Sequence, residues 1–181
     1  VSVSDMVACA ARLRDGGVRS LALEGRSAGG LLVAAAANRQ PYYFEAVLAS
    51  VPFVDVAGTL QDASLPLTVN EWEEFGNPNE ELGHEAVLGI SPVHNVPRDT
   101  PLPAMLLLPA LNDARTGFWE SLKLADAVRN NGAADELRRP VYVRTDTEGG
   151  HFRAADPERR AELRALELGF VLSRIVCSSR S

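Results

Sequence analysis

The first feature of the sequence that could do chemistry is a serine set between glycines. Gly25-Arg26-Ser27-Ala28-Gly29 has the pattern Gly-x-Ser-x-Gly and joins a segment typical of a β-strand to an Ala-rich segment typical of a helix. In that context the serine sits on a tight, strained turn with its hydroxyl at the carboxyl end of the strand. Both flanking positions are expected to need glycine, because a side chain there would clash. Ser27 is a candidate nucleophile and the Ala28 N–H a candidate oxyanion donor, with a purely structural turn as the alternative.

A serine hydroxyl is a poor nucleophile at neutral pH and needs a neighbouring base. The chain has three histidines, His84, His94 and His151. His151 follows two glycines and lies between a predicted strand at 141–144 and the last predicted helix, so its loop can reach the end of a sheet. His84 lies in a charged helical segment, which favours exposure to solvent, and His94 lies in a proline-rich loop, which favours a structural role. His151 is therefore the candidate base.

The acid that would orient this histidine is expected in the loop after the preceding strand. In hydrolases with a Gly-x-Ser-x-Gly turn the order along the chain is serine, acid, histidine. Asp113 follows a fully apolar segment at 104–108 and fits this order, while Asp146, just before His151, is the competitor. An aspartate before a helix is more often an N-cap, but three candidate residues on three loops after three strands favour Asp113 as the acid.

The elements that must position these side chains alternate along the sequence. Strands are predicted at 20–24, 46–51, 104–108 and 141–144, and helices at 4–15, 31–38, 80–88, 116–130 and 157–175. The segments 52–80 and 91–103 are predicted to be mostly irregular because of their prolines and polar residues. Strands separated by helices predict the α/β class, with a mostly parallel sheet and helices on both faces.

Composition limits the possible functions. With 181 residues, 46% hydrophobic and 23% charged, the chain is expected to form one globular domain. Its net charge of −6 argues against a nucleic-acid or anionic-membrane partner, and no apolar run is long enough for a membrane span. No metal-ligand spacing or cofactor motif is present, and Lys123 is the only lysine. Cys9 and Cys177 lie in apolar patterns that predict buried, reduced thiols, which fits a cytoplasmic setting.

Several stretches resemble the oligopeptidase B branch of the prolyl oligopeptidase family of serine peptidases. The resemblance runs from about residue 17 to about residue 174, and its most specific stretches are GRSAGGLL (25–32), VPFVD (51–55), LPLTVNEWEEFGNPN (65–79), SPVHNV (91–96), NDAR (112–115) and GGHF (149–152). The stretch 65–79 is far more specific than the serine motif, and it indicates this branch rather than the prolyl-cleaving one.

The resemblance implies an α/β-hydrolase fold in which Ser27, Asp113 and His151 form a catalytic triad and an acyl-enzyme is the intermediate. It implies that Ala28 supplies half of the oxyanion hole and that an upstream tyrosine supplies the other half. No tyrosine precedes Ser27 in this sequence. Arg115 completes the Asp-x-Arg pattern of the family and is expected to bind substrate. Thr116 stands where members of the family often have valine.

The resemblance also implies cleavage of short peptides after Arg or Lys, with Glu71 and Glu73 recognising the basic side chain. A desolvated carboxylate pair binds a guanidinium through charge-assisted hydrogen bonds. Glu71 and Glu73 are two residues apart, so their side chains point the same way if the segment is extended. Without the resemblance, the same residues would be interpreted as a solvated acidic surface. Trp72 and Phe75 are expected to pack rather than to bind substrate.

Members of the family carry an N-terminal β-propeller, so residues 1–181 are expected to be a partial α/β-hydrolase peptidase domain without the propeller and the first strands of the sheet. The expected partners are short basic peptides and that propeller region, with no cofactor and no metal. Two alternatives stay open. One is another hydrolase of this fold (a prolyl, dipeptidyl or acylaminoacyl peptidase, or an esterase), and the other is an inactive truncated chain that only self-associates.

Overall fold

The computed structural model describes residues 2–133, 135, 137–152 and 156–178. Residues 177 and 178 are described as backbone only. Its strands are β1 (Ala22–Arg26), β2 (Ala46–Ser50), β3 (Ala104–Leu108) and β4 (Val141–Val143). Its helices are α1 (Ser2–Asp15), α2 (Ala28–Arg39), α3 (Val56–Gln61), α4 (Thr68–Phe75), α5 (Glu81–Ile90), α6 (Phe118–Arg129) and α7 (Pro157–Ser178), with 3-10 turns at Pro41–Tyr43 and Pro92–Asn95. None of the helices among these described residues is long and apolar enough to cross a membrane.

The strands form one parallel sheet in which each strand lies beside the next one along the chain, in the order β1-β2-β3-β4. Arg26 is paired with Ser50, and Ser50 with Leu108, so the first three strands end at the same level. The residues that follow these strands therefore meet at one edge of the sheet, where parallel sheets bind their ligands. The predicted parallel sheet is confirmed.

Helices cover both faces of the sheet, as the alternation of elements predicts. Successive residues of a strand point to opposite faces, so β2 and β3 each supply two sets of buried side chains. One set packs with α2 and α6 and includes Val47, Ala49, Met105 and Leu107. The other set packs against Leu163, Phe170 and Val171 of α7 and consists of Leu48, Leu106 and Leu108. Burial on both faces explains why β2 and β3 are continuous apolar runs.

Strand β1 begins and ends two residues later than predicted. It runs through Arg26, which pairs with Ser50 of β2, and α2 begins at Ala28. Ser27 is therefore the single residue between strand and helix. The glycine-rich stretch predicted as a loop is the end of the strand, the turn and the first turn of the helix.

The prediction that residues 52–80 are irregular is wrong, because α3 and α4 lie there. Asp55 caps α3 by accepting a hydrogen bond from the backbone N–H of Gly58 at 3.2 Å. Both helices bury apolar side chains in a cluster with α2 and α5, formed by Leu31, Phe53, Val56, Ala57, Leu60, Trp72, Phe75 and Val87. Helices of six and eight residues are too short to give a clear helical period in the sequence.

The prediction that Cys9 is buried is also wrong. Cys9 is an exposed free cysteine on α1, whereas the next residue, Ala10, faces the core. Helix α1 packs only one stripe against α2, and a helix turns about 100° per residue, so neighbouring positions differ in burial. The side chain of Cys177 lies outside the described residues.

Candidate active site

The turn between β1 and α2 holds Ser27 in a conformation that residues other than glycine rarely adopt. Its φ is 54° and its ψ is −123°. The Ser27 N–H donates to the carbonyl of Ser50 at 3.1 Å, and the Ser27 carbonyl accepts from the N–H groups of Gly30 at 2.8 Å and Phe53 at 3.1 Å. These bonds tie the turn to β2 and to the loop that follows it. Strained backbone held in this way clusters at functional sites.

The glycines around this serine do not all have the role that the sequence predicts. A Cβ at Gly25 would collide with the carbonyl of Gly29 and with Val33, and a Cβ at Gly30 would collide with Pro52. A Cβ at Gly29 would meet no atom within 4 Å. The prediction that both glycines of the motif are needed for space is therefore wrong for Gly29. The close approaches are made by Gly25 and Gly30.

Ala28 is the first residue of α2, directly after Ser27. The N–H groups of the first helical turn have no partner within the helix, and together they make that end partially positive. Among the described residues, no acceptor is hydrogen-bonded to the Ala28 N–H. This N–H can therefore donate to a negative oxygen bound beside Ser27.

His151 and Asp113 lie in hydrogen-bond contact. The Nδ1 atom of His151 is 2.9 Å from Oδ2 and 3.2 Å from Oδ1 of Asp113. Oδ1 also accepts hydrogen bonds from the backbone N–H groups of Arg115 at 2.8 Å and Thr116 at 3.0 Å. Burial alone would raise the pKa of Asp113, but the hydrogen bonds from Thr116, Arg115 and His151 together lower it below its usual value. Asp113 is thus held as a carboxylate against the imidazole.

Sequence reasoning gave Thr116 no part in the site, yet its hydroxyl holds the acid in place. Thr116 Oγ1 lies 3.0 Å from both Asp113 Oδ2 and the carbonyl oxygen of Val51, two acceptors for its one hydrogen, and 3.5 Å from His151 Nδ1. Its place directly after the Asp-x-Arg pattern was visible in the sequence. The contact with Val51, 65 residues earlier, could not be read from that pattern.

Asp146, the competing acid, has a different partner set. Its Oδ1 accepts from the backbone N–H groups of Gly149 at 2.9 Å and Glu148 at 3.1 Å, and it forms an ion pair with Arg159 at 2.5 Å. Burial opposes the charge on Asp146, but these hydrogen bonds and Arg159 lower its pKa. Asp146 closes the turn that leads to His151 and makes no hydrogen bond to the imidazole in the described part of the chain.

Ser27 and His151 belong to loops at the same edge of the sheet, after β1 and after β4. Within the described residues, no hydrogen bond joins the Ser27 hydroxyl to the imidazole. His151 presents its Nδ1 to Asp113, and its side chain is only 9% exposed. In proteins without bound substrate, the bond between nucleophile and base is often long and shortens in the complex.

A cavity opens beside the serine turn. Its lining combines the turn itself, the loop after the acid and the segment from α3 to α4, and consists of Ser27, Ala28, Phe53, Thr59, Leu60, Pro66, Leu67, Thr68, Glu71, Phe75, Arg115 and Thr116. Apolar side chains form much of the wall. Glu71 is the one carboxylate among these lining residues.

The premise that Glu71 and Glu73 lie on an extended segment is wrong, because both belong to helix α4. Residues two apart on a helix are separated by about 200° around its axis, so they point to different sides. Glu71 is half-buried and lines the cavity, whereas Glu73 is exposed and does not line it. The structure brings Glu71, but not Glu73, to the cavity that contains Ser27.

The model of the prolyl oligopeptidase family (Peptidase_S9) matches residues 1–175. The chain belongs to the prolyl oligopeptidase family. Among solved structures of this family, oligopeptidase B from Leishmania major superposes with a TM-score of 0.90 at 38% identity, covering 97% of this chain and 24% of that one. Oligopeptidase B from Trypanosoma brucei, with covalently bound antipain, gives a TM-score of 0.88 at 40% identity, covering 94% and 24%.

Among curated relatives, dipeptidyl aminopeptidase BI from Pseudoxanthomonas mexicana is 35% identical over 160 residues, which cover 88% of this chain and 22% of that protein. The chain thus spans about a quarter of the length of the prolyl oligopeptidase family members that it matches. The sheet and helices described above are those of the α/β-hydrolase domain of this family of serine peptidases.

Arg115, predicted from the family pattern to bind substrate, is exposed and lines the same cavity as Ser27. Its guanidinium carbon lies 5.2 Å from the centre of the Phe152 ring, a cation–π contact. Phe152 also packs edge-on against the His151 ring, with the ring centres 5.6 Å apart. The contact between Arg115 and Phe152 therefore joins the loop of the acid to the loop of the base.

The remaining residues that the sequence singled out have structural contacts. His94 Nδ1 lies 2.9 Å from Ser91 Oγ and 3.8 Å from Asp55, which fits the predicted structural role. His84 lies on α5 as predicted but is half-buried rather than exposed to solvent, because α5 packs in the apolar cluster with α3. Trp72 packs in the apolar cluster and donates its indole N–H to the carbonyl of Leu60 at 3.0 Å.

A second, larger cleft lies on the α7 side of the same strand ends. It is lined mostly by charged and polar side chains of the loops after β3 and β4 and of α7, including Arg144, Asp146, Arg159, Arg160, Glu162 and Glu167. Neither Ser27 nor Glu71 lines it. The described part of the chain contains no group of three or more His, Cys, Asp or Glu residues placed to hold a metal ion.

Proposed function

We propose that this chain carries the nucleophile, base, acid and substrate pocket of a serine-type oligopeptidase that cleaves short peptides after Arg or Lys. The single observation that carries this proposal is that Glu71 lines the cavity beside Ser27 and Ala28. The similarity to two oligopeptidase B structures supports it. A carboxylate near the nucleophile provides a partner for a cationic side chain on the residue whose carbonyl is attacked.

In the proposed reaction, Ser27 Oγ attacks the carbonyl carbon of the scissile bond and His151 Nε2 takes the hydroxyl proton. Asp113 accepts the hydrogen bond from His151 Nδ1–H, which fixes the tautomer and stabilises the imidazolium. His151 then gives the proton to the leaving amine, and an acyl-enzyme forms on Ser27. Water, activated by the same histidine, hydrolyses this ester and releases the serine.

The oxyanion that develops during attack is proposed to bind the N–H of Ala28, at the positive end of α2. Preorganised donors of this kind contribute about 3–4 kcal/mol each to the transition state. The second donor, a tyrosine by family resemblance, does not precede Ser27 in this sequence. We propose that it comes from the upstream region that completes the domain in the full-length protein, together with the first strands and the propeller.

The pocket is proposed to hold the basic side chain between apolar walls, with its charge against Glu71. Phe53, Leu60 and Phe75 remove water from the stem of the side chain, and the lower local dielectric strengthens the ion pair. A guanidinium can meet both carboxylate oxygens, which a lysine ammonium cannot match. Glu73, which lies outside the lining, is proposed to attract the cationic substrate at longer range. Arg115, which lines the cavity, is proposed to bind the peptide.

Steady-state cleavage of matched peptides with Arg, Lys, Leu or Pro at the cleaved position tests this proposal. We expect Arg and Lys to be preferred, and Glu71→Gln to reduce kcat/KM for the Arg peptide by ~100-fold while changing the Leu peptide little, because a desolvated charge loses its partner. Glu74→Gln, on the same helix but exposed, is the matched control. Glu73→Gln is expected to cost less than ~5-fold, the effect of a screened charge. Equal cleavage of Arg and Leu peptides would exclude the proposed specificity.

A second candidate function follows from the relative named dipeptidyl aminopeptidase BI, which is 35% identical to this chain. Removal of dipeptides would require a free amino terminus, whereas an oligopeptidase accepts a blocked one. Comparing an N-acetylated Arg peptide with its free counterpart distinguishes the two. We expect both to be cleaved, and cleavage of the free peptide alone would favour the second function.

A cytoplasmic location stays a prediction.

A further inference from the structure

Helix α6 buries a carboxylate that the proposed catalytic steps do not use. Glu120 is 0% exposed. Its Oε2 accepts hydrogen bonds from the backbone N–H groups of Val54 at 2.8 Å and Asp55 at 2.9 Å, and its Oε1 accepts from Thr59 Oγ1 at 2.9 Å. Within the described residues no cation is paired with Glu120. A buried charge without a counterion is costly and therefore calls for a physical explanation.

The partners of Glu120 lead directly to the wall of the cavity. Thr59 itself lines the cavity next to Leu60. The carbonyl of Thr59 accepts from Thr68 Oγ1 at 3.2 Å, and the carbonyl of Leu60 accepts from Trp72 Nε1 at 3.0 Å. Thr68 and Trp72 belong to α4 and flank Glu71 along that helix. Glu120 therefore holds the segment on which the helix of the pocket carboxylate is seated.

The charged groups around Glu120 come from three elements. Asp55, which caps α3, carries a negative charge that interacts unfavourably with that of Glu120. The Asp55 carboxylate itself is 2.5 Å from Lys123 of α6 and 3.8 Å from His94 of the second 3-10 turn. Burial raises the pKa of Glu120 to about 7, opposed by its three hydrogen bonds and assisted by the charge of Asp55. Both protonation states are thus populated near neutral pH.

We propose that Glu120 is a positioning residue for the basic-side-chain pocket, acting through Thr59 and through the carbonyl groups that seat α4, so that its protonation state sets how strongly the pocket prefers a cation. This inference rests on the proposed function, since it concerns the specificity of the same site.

Protonation of Glu120 changes the pocket through the hydroxyl of Thr59. When Glu120 is ionised, the Thr59 hydroxyl donates to it and leaves oxygen lone pairs for a guanidinium in the cavity. When Glu120 takes up a proton from solvent, its own O–H donates to Thr59, and the Thr59 hydrogen is released toward other partners. The charge behind the wall is lost at the same time. Both changes weaken the binding of a cation and leave an apolar side chain unaffected.

Two phosphonate probes that differ only in one side chain test this inference on the 181-residue chain. Each is a peptidyl diphenyl phosphonate, in which Ser27 Oγ bonds to phosphorus and phenoxide leaves, and one carries a guanidinium and the other a butyl group. Titration of the catalytic base changes both labelling rates equally, so it drops out of their ratio. The ratio therefore reports how strongly the pocket prefers the guanidinium to the butyl group. We expect this ratio to rise roughly five- to ten-fold from pH 6 to pH 8.5, about the worth of one reversed hydrogen bond.

Glu120→Gln mimics the protonated form, because its amide N–H donates to Thr59, so its ratio is expected to stay low and constant over this pH range. Asp126→Asn removes a charge from the exposed side of the same helix and is expected to behave as the unchanged chain does. A merely structural role of Glu120 would slow both probes alike. If Glu120→Gln does not fold, Thr59→Val removes the hydroxyl and keeps Glu120, so the rise of the ratio with pH is expected to become smaller, and an undiminished rise would overturn the role of Thr59.

A ratio in Glu120→Gln that still rises with pH as in the unchanged chain would overturn the inference while leaving the proposed function intact. Absence of labelling by both probes in the folded, unchanged chain would instead overturn the proposed function and, with it, this inference. The two failures are therefore distinguishable from one set of measurements.

Discussion

Asp113 is fixed from four directions, by two backbone N–H groups, by the Thr116 hydroxyl and by the His151 ring. Such a carboxylate cannot rotate away from the imidazole, and its lowered pKa keeps it ionised. Asp146 is equally well bonded, but its bonds close the turn before His151. Chain order and loop position favoured Asp113 over Asp146, and the contact geometry supports the same choice.

The two aspartates give a residue-scale prediction. We expect Asp113→Asn to reduce kcat/KM by ~10⁴-fold, because the amide favours the wrong imidazole tautomer while leaving the shape of the site intact. Asp146→Asn should lose less than ~10-fold, since it weakens a turn without touching the ring. Peptide cleavage by the two purified variants measures both effects. A larger loss in Asp146→Asn than in Asp113→Asn would reverse the assignment.

At the scale of elements, the connection between β1 and α2 depends on which glycine is close to which neighbour. Gly25 faces the carbonyl of Gly29, whereas Gly29 itself faces open space. We expect Gly25→Ala to reduce the free energy of unfolding by about 1–3 kcal/mol or more, because the turn cannot absorb an extra methyl group. Gly29→Ala should change it by less than about 0.5 kcal/mol.

Urea unfolding of the two alanine variants checks this prediction, with labelling of the serine as a second readout. Gly29→Ala is the matched control, since it adds the same methyl group to the same turn. Equal destabilisation by both substitutions would show that the turn, rather than the close approach at Gly25, sets the need for glycine.

The sequence predicts some elements well and others not at all, for physical reasons. Strands β2 and β3 are buried on both faces, so their apolar runs mark their ends within one residue. Helices α3 and α4 escaped prediction because each is shorter than the window in which a helical period shows. That error carried over to Glu73, which an extended segment would have placed beside Glu71.

The residues of the site also differ in whether a local sequence pattern reveals them. Ser27, Asp113 and His151 could be predicted as site residues from local patterns and chain order, because each follows its own strand. Thr116 and Glu120 are hydrogen-bonded to partners about 65 residues away, and no local pattern records such contacts. Glu120 did leave one signal, since it lies four residues before Leu124 on the buried stripe of α6. An acidic residue on an apolar stripe indicates a buried polar contact.

At the scale of the whole molecule, Glu120 and Asp113 affect stability in opposite directions with pH. The lowered pKa of Asp113 means that its contribution is present above its usual pKa of 3.8 and is lost as the pH falls below it. The pKa of Glu120 is raised from 4.5 to about 7, so the native state holds a proton that the unfolded state releases between these values. Stability is therefore expected to fall as the pH rises through this window.

The raised pKa of Glu120 predicts how the stability of the whole chain depends on pH. Between pH 5 and pH 8 the free energy of unfolding should fall by roughly 3 kcal/mol through Glu120, since a difference of one between the folded and unfolded pKa corresponds to about 1.4 kcal/mol. Glu120→Gln, which has no proton to lose, should remove that fall, whereas Asp126→Asn should keep it. Urea denaturation across this pH range measures the slope, and an identical slope in Glu120→Gln would contradict the assignment.

Ser27, with its strained backbone, is proposed above all to be the nucleophile of a peptidase site. Incubation with a fluorophosphonate, followed by intact-mass measurement, tests it most directly, with circular dichroism as the check on folding. We expect one covalent adduct per chain, located on Ser27 by peptide mapping, and none in Ser27→Ala. A folded chain that gains no adduct, or a Ser27→Ala variant that is labelled as the unchanged chain is, would contradict it.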